Sequence, residues 1–200
     1  MVLVYKLYIK NIKNNKLIKG FTIVELLVGI AIVGILTAIA GPSLGQFIVQ
    51  SRVDNEISEI HRLVLTARNS AINSGKNVTF CPLNGTSCSS NWDNELSIFT
   101  NSDNTLANNN SYIVANEDLI KVKGKIANGD SLVFSQNIII FAPTGRLVSG
   151  GNGSFSYCPK DNNDLSRGVE ISLPGRVYVT SDTDNDNKDE NRDGTEVSCN

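Results

Sequence analysis

Residues 20–44 read GFTIVELLVGIAIVGILTAIAGPSL, an apolar run that holds a single acid, Glu25. From Leu26 to Ser51 there are 26 residues without a charged side chain. At about 1.5 Å per helical residue, that length spans the ~30 Å hydrocarbon core of a bilayer. In front of it stand Lys6, Lys10, Lys13, Lys16 and Lys19, with no acid among the first 20 residues. The run is therefore expected to cross a membrane over about 21–44, with the lysine side cytoplasmic and the rest of the chain outside. A secretory signal peptide has a shorter apolar core and a small-residue cut site after it. Here the core is too long and flows into more helical sequence. A carboxylate inside such a run costs roughly 2.5–3.5 kcal/mol at mid-helix, so Glu25 calls for a reason.

The helical pattern continues past the run. Val53, Ile57, Ile60, Val64, Ala67 and Ala71 alternate by four and three, which is one face of an α-helix. Arg52, Asp54, Glu56, Glu59, Arg62 and Arg68 fall mostly elsewhere, and Asn73-Ser74-Gly75 supplies an end signal. Pro42 removes a backbone donor and is expected to kink the helix. The Gly41–Gly45 spacing matches a helix-packing motif, but Pro42 lies within it.

After Gly75 the pattern changes to short runs rich in Val, Ile, Phe and Tyr, bounded by Gly, Asn, Asp and Pro. Strands are expected at Asn77–Cys81, Glu95–Thr100, Ser111–Ala115, Leu119–Lys123, Asn137–Ala142, Arg146–Ser149, Ser154–Cys158, Val169–Leu173 and Arg176–Thr180. Their number and spacing point to a sandwich or meandering sheets. The fold class is thus α+β: a long N-terminal helix, transmembrane and then amphipathic, packed on a C-terminal antiparallel β-sandwich. The expected organisation is a leader at 1–20, a helix at 21–74 and a β-rich head at 75–200.

Composition limits the chemistry. The chain has 18 basic and 20 acidic residues, and five of the basic ones lie in the leader, which leaves 13 against 20 in residues 21–200. That balance argues against a broadly basic nucleic-acid surface. With one His, and no Ser/His/Asp arrangement or phosphate loop, the chain is expected not to be an enzyme. The four cysteines, Cys81, Cys88, Cys158 and Cys199, all follow the apolar run and permit three pairings. Cys81–Cys88 and Cys158–Cys199 are expected, because the first pair can close a hairpin and the second can tie down a polar tail. Zinc is disfavoured by the lack of any C-x₂-C spacing.

Lys19-Gly20-Phe21-Thr22-Ile23-Val24-Glu25-Leu26-Leu27 resembles the signal of type IV pilins and pseudopilins. The resemblance implies that a prepilin peptidase cuts between Gly20 and Phe21 and that Phe21 is then N-methylated. The head is similar to the GspH/FimT group of minor pilins and pseudopilins, which includes FimU-like proteins. The residues that carry it are Ala67-Arg68-Asn69-Ser70-Ala71, Cys81-Pro82, Trp92, Phe141-Ala142-Pro143-Thr144-Gly145-Arg146, Tyr157-Cys158 and Ile171-Ser172-Leu173-Pro174-Gly175-Arg176. The implied protein is a structural subunit that primes or caps a type IV pilus-like filament. Its implied partners are major and minor pilins or pseudopilins, the peptidase and an inner-membrane assembly platform. It would first sit in the bacterial inner membrane, N-terminus cytoplasmic and head periplasmic, with no cofactor.

Glu25 then acquires a reason. The amine freed at Phe21 is cationic, and its charge and the carboxylate offset each other if paired between neighbouring subunits. A pair satisfied in one register sets axial stagger. The plain alternative is a glutamate that snorkels at the membrane interface. Three other roles remain open: a type II secretion minor pseudopilin, a DNA-binding pilin for natural transformation, and a simple membrane-anchored periplasmic protein. For DNA, Arg176 could touch a phosphate and Tyr178 could stack on a base, although a Gly-Arg-x-Arg stretch known in the group is broken here by Tyr178. The tail at 182–196 opposes this with seven acids and two bases. That tail also offers Asp182, Asp184, Asp186 and Asp193 as oxygen ligands for Ca²⁺, without the Gly and Glu of an EF-hand.

Overall fold

The computed structural model describes residues 20–102, 110–149 and 152–199; the side chains of residues 39–43 and of Ser149 lie outside that description. The leader before Gly20, the kink expected at Pro42 and the Gly41 contact therefore fall outside the described residues or side chains. The chain divides into two compact units, Met1–Ser43 and Leu44–Asn200. This boundary lies within the expected helix and not at its end. The reason is that the second half of the helix belongs to the core of the head.

The helix α1 runs Ile23–Ser74. Gly75 ends it at φ +67°, with its N–H on Ala71 O at 3.1 Å. That left-handed conformation is the C-terminal cap that glycine makes cheap. In the first unit the apolar side chains from Phe21 to Leu36 are exposed. Among the described residues no helix is long and apolar enough to cross a membrane. The described side chains stop at Ala38 and resume at Leu44, which divides the 26-residue uncharged run.

In the second unit α1 buries Val53, Ile57, Ile60, Val64, Ala67 and Ala71, the face given by the periodicity, and also Leu63. Each large apolar side chain so buried contributes about 1.5–3 kcal/mol. The strands that receive this face are β1 (Val78–Asn84), β2 (Ser87–Cys88), β3 (Leu96–Thr100), β4 (Leu119–Lys123), β5 (Ser131–Val133), β6 (Ile139–Phe141), β7 (Leu147–Ser149), β8 (Gly153–Cys158), β9 (Arg167–Ile171) and β10 (Val177–Val179). They form two antiparallel sheets. One has the order β4-β3-β1-β6-β7, with β2 on β1; the other has the order β10-β9-β8-β5.

β1 is the centre of the first sheet and is buried along most of its length. Its pairing with β6 stops at Phe80, so Pro82 sits where no donor is needed on that side. Trp92 joins the two sheets. Its ring lies 5.5 Å from Phe80 of β1 and 4.9 Å from Phe155 of β8, both edge-on. Phe134 stacks on Phe155 at 4.3 Å, and Trp92 Nε1 donates to Gln136 O at 2.7 Å. Such a cluster adds packing energy beyond its buried area, and its one polar atom is satisfied.

One expectation needs correction, and two strands need adding. Ser111–Ala115 is not a strand. The buried carboxylate of Glu117 accepts from Ile113 N at 2.8 Å and Ser102 N at 3.2 Å, and this turns the segment instead. The short strands β2 and β5 were not anticipated. β2 is the return of a hairpin whose turn uses Gly85 at φ +65°.

Candidate functional site

The helix start is built by Thr22 and Glu25. Thr22 precedes the first helical residue, Ile23, and Glu25 is the third residue of the helix. Thr22 Oγ1 and Thr22 N both donate to Glu25 Oε2, at 2.9 and 3.0 Å. Thr22 Oγ1 accepts from Glu25 N at 3.2 Å. This is a capping box: two donors that a helix start leaves orphaned are satisfied reciprocally. The sequence signal, Thr-x-x-Glu before an apolar run, was available and the role of Thr22 was missed. Around the box, Phe21, Leu26, Gly29, Ile30, Val33 and Gly34 line a shallow apolar groove with Glu25 at its rim. Phe21 itself is 88 % exposed. The arrangement offers apolar surface for packing and one oriented carboxylate, and no catalytic group.

Charges on the flanks of α1 lock the head to the helix. Lys123 of β4 reaches Glu56 at 2.8 Å and Glu59 at 3.7 Å. Arg167 of β9 pairs with Asp54 and lies 3.9 Å from Asp189. Arg52 pairs with Asp130 at 3.0 Å, and Asp130 also accepts from Tyr157 Oη at 2.5 Å and from Lys160 N at 2.9 Å. Burial, then the Asp130 contact, pushes the Tyr157 phenol well above its ordinary range. Burial likewise raises the Asp189 carboxyl, opposed by the Thr180 hydroxyl and by Arg167.

Several motifs quoted above meet at one point. Arg68 Nε donates to Gly145 O at 3.1 Å. Gly175, at φ +78°, passes so close that a Cβ there would lie 2.0 Å from the same Gly145 oxygen. The end of α1, the β6–β7 turn and the β9–β10 turn are thereby joined. These residues hold the head on the helix.

The cysteines are bonded as Cys81–Cys88 and Cys158–Cys199, with Cα separations of 5.7 and 5.8 Å. The first bridge crosses the β1–β2 hairpin and the second anchors the tail. Arg176 is exposed and Tyr178 is half-buried. The guanidinium of Arg192 lies 4.0 Å over the Tyr178 ring, and Tyr178 and Arg192 share a cleft with Glu170 and Asp193. A side-chain hydrogen bond from Arg176 is the main cause that lowers the Tyr178 phenol, and the charge of Arg192 adds to it.

In the tail, Asp182, Asp184 and Asp186 gather with Glu190, not with Asp193. Asp193 turns away, accepting from Thr195 N at 3.0 Å and Thr195 Oγ1 at 2.6 Å. That contact also holds its carboxyl below the usual range. The fourth residue, Glu190, lies in the same acidic tail but does not fit the spacing of an EF-hand, and a local bridge to Ser181 places it.

The long capped helix, its exposed apolar start and the two-sheet head define a type IV pilin-like subunit. The match to the family described as "Type II transport protein GspH" covers residues 56–175, and the chain belongs to that family. The "Prokaryotic N-terminal methylation motif" matches residues 15–41. Two curated relatives align with under a third of the chain. A "Fimbrial protein" of Pseudomonas aeruginosa is 43% identical over 60 residues, 30% of this chain and 38% of that one. The "Type IV major fimbrial protein FimA" of Dichelobacter nodosus is 40% identical over 63 residues, 32% of this chain and 40% of that one. The chain thus spans about two fifths of the length of the curated relatives it matches. The crystal structure of the type IV minor pilin FimU of Pseudomonas aeruginosa superposes with a TM-score of 0.52 at 17% identity, covering 68% of this chain and 92% of that one. The fold is shared with it. The chain is thus a GspH-family protein that carries a prokaryotic N-terminal methylation motif on a pilin-like fold.

Proposed function

We propose that the chain primes or caps assembly of a type IV pilus-like filament. It is made with a basic leader and held in the bacterial inner membrane, N-terminus cytoplasmic and head periplasmic. A prepilin peptidase cuts between Gly20 and Phe21, and Phe21 is N-methylated. An inner-membrane platform then draws the subunit into a filament with other pilins or pseudopilins. The apolar helix exchanges lipid for the helices of its neighbours, and Glu25 meets a neighbour's new amine.

The observation that carries this reading is the exposure of apolar side chains from Phe21 to Leu36 immediately after the cut site. Such a surface needs a non-aqueous partner, and lipid and neighbouring helices are the two that the motif provides. Two observations weigh against the DNA reading. The face of Tyr178 that would stack on a base carries Arg192, and Glu170 and Asp193 line the same cleft.

The test follows where the chain goes in its own host. Wild-type chain is expected as a shortened form in both membrane and sheared-filament fractions. A Gly20→Leu variant is expected to stay full length in the membrane. Equal recovery of that variant from filaments would sink the proposal.

A further inference from the structure

The tail of the head holds a feature that the proposed function leaves unexplained. One carboxylate oxygen from each of Asp182, Asp184, Asp186 and Glu190 lies within 4.8 Å of the others. Three of these residues are exposed, and exposed acids alone would mean little. Glu190 is different. It is 6 % exposed, and its Oε2 is taken by Thr183 N and Thr183 Oγ1, both at 2.6 Å. Its Oε1 is buried and finds no hydrogen-bond donor among the described residues. A carboxylate oxygen left so is expensive unless something positive meets it. No described ion pair joins a lysine or arginine to any of the four; the neighbouring Lys188 is turned to Glu196 at 3.0 Å.

We propose that Asp182, Asp184, Asp186 and Glu190 form a Ca²⁺ site. Hard oxygen donors without nitrogen or sulfur select a hard cation. Ca²⁺ takes its oxygens at about 2.4 Å, so its ligands stand no more than about 4.8 Å apart, and these four oxygens fall within that limit. Mg²⁺ demands near-ideal octahedral geometry at about 2.1 Å and gives up its waters reluctantly, which disfavours it among four protein carboxylates. The backbone holds the aspartates in place. Asp182 accepts from Asn185 N at 2.7 Å and Asn187 N at 3.0 Å, and Asp184 accepts from Asp186 N at 3.1 Å. Glu190 is fixed from the other side by bridges to Ser181 and Glu196, within a tail tied by Cys158–Cys199. Binding would therefore fasten the 182–190 loop to the ordered part of the tail.

The test is calorimetry and thermal melting of the full chain in detergent micelles, stripped with chelator and titrated with CaCl₂ or MgCl₂. One Ca²⁺ is expected to bind with a Kd between tens of micromolar and about a millimolar, with Mg²⁺ at least tenfold weaker. An Asp184→Asn, Asp186→Asn double variant alters exposed residues, so it should fold; it is expected to weaken Ca²⁺ at least tenfold. Glu190→Gln is expected to lose the Ca²⁺ response without melting below the metal-free wild type, because it removes an unmatched buried charge. No saturable heat at millimolar Ca²⁺, equal responses to Ca²⁺ and Mg²⁺, or wild-type affinity in the double variant would each overturn the assignment.

Discussion

Thr22 and Glu25 hold each other at the start of the helix, the hydroxyl and amide of the threonine both donating to Glu25 Oε2 at 2.9 and 3.0 Å. The carboxylate therefore has partners before any second subunit arrives. Two roles can now be separated, because a capping box accepts Gln as well as Glu at this position.

If the charge of Glu25 matters for assembly, Glu25→Gln keeps the cap and still fails. We expect both Glu25→Gln and Glu25→Ala to be processed and to be depleted from filaments, as read by immunoblot of sheared fractions. Normal incorporation of Glu25→Gln would reduce the residue to a helix cap. Thr22→Val tests the cap itself, with an expected loss of about 1 kcal/mol of helix stability.

Gly175 cannot carry a side chain where it is. A Cβ would lie 2.0 Å from Gly145 O in a backbone conformation at φ +78°. Gly175→Ala is expected to cost about 2–5 kcal/mol from the left-handed backbone and overpacking together. Denaturant unfolding of the purified protein checks this, and a loss below about 1 kcal/mol would mean that the turn can move aside.

Much of the head was legible from local signals, and the remainder was long-range. The spacing of Val53, Ile57, Ile60, Val64, Ala67 and Ala71 identified the buried face of α1 because helical period is a local property. The charges beside that face gave no hint of their partners. Asp54 meets Arg167 and Arg52 meets Asp130, across 113 and 78 residues. Glu190 was missed for a different reason: it is local, four residues after Asp186, but an EF-hand spacing does not place a ligand there. Thr22 was legible, since Thr-x-x-Glu before an apolar run is a local capping signal.

Tyr157 predicts a pH dependence. Its folded pKa is raised above its ordinary value of 10.0. Below that ordinary value both folded and unfolded states keep the proton, and the full stability is present. As pH rises past 10 the unfolded chain ionises first, so stability falls. Tyr157→Phe should flatten this alkaline fall in melting temperature while lowering stability at neutral pH, where the bond to Asp130 is lost. The same alkaline slope in the variant would assign the fall to other groups.

The Cys158–Cys199 bridge closes a span of 41 residues. Cys158→Ser with Cys199→Ser is expected to cost about 2–4 kcal/mol and to expose the chain beyond Thr180 to limited proteolysis. A tail as resistant as wild type would show that other contacts suffice to hold it.

The central claim is that this chain is a processed filament subunit. The most direct measurement is mass spectrometry of its N-terminal peptide, taken from filaments sheared from the host. A peptide that begins at Phe21 and carries one methyl group on its amine is expected. A chain recovered with the leader still attached, or recovered from membranes and never from filaments, would contradict it.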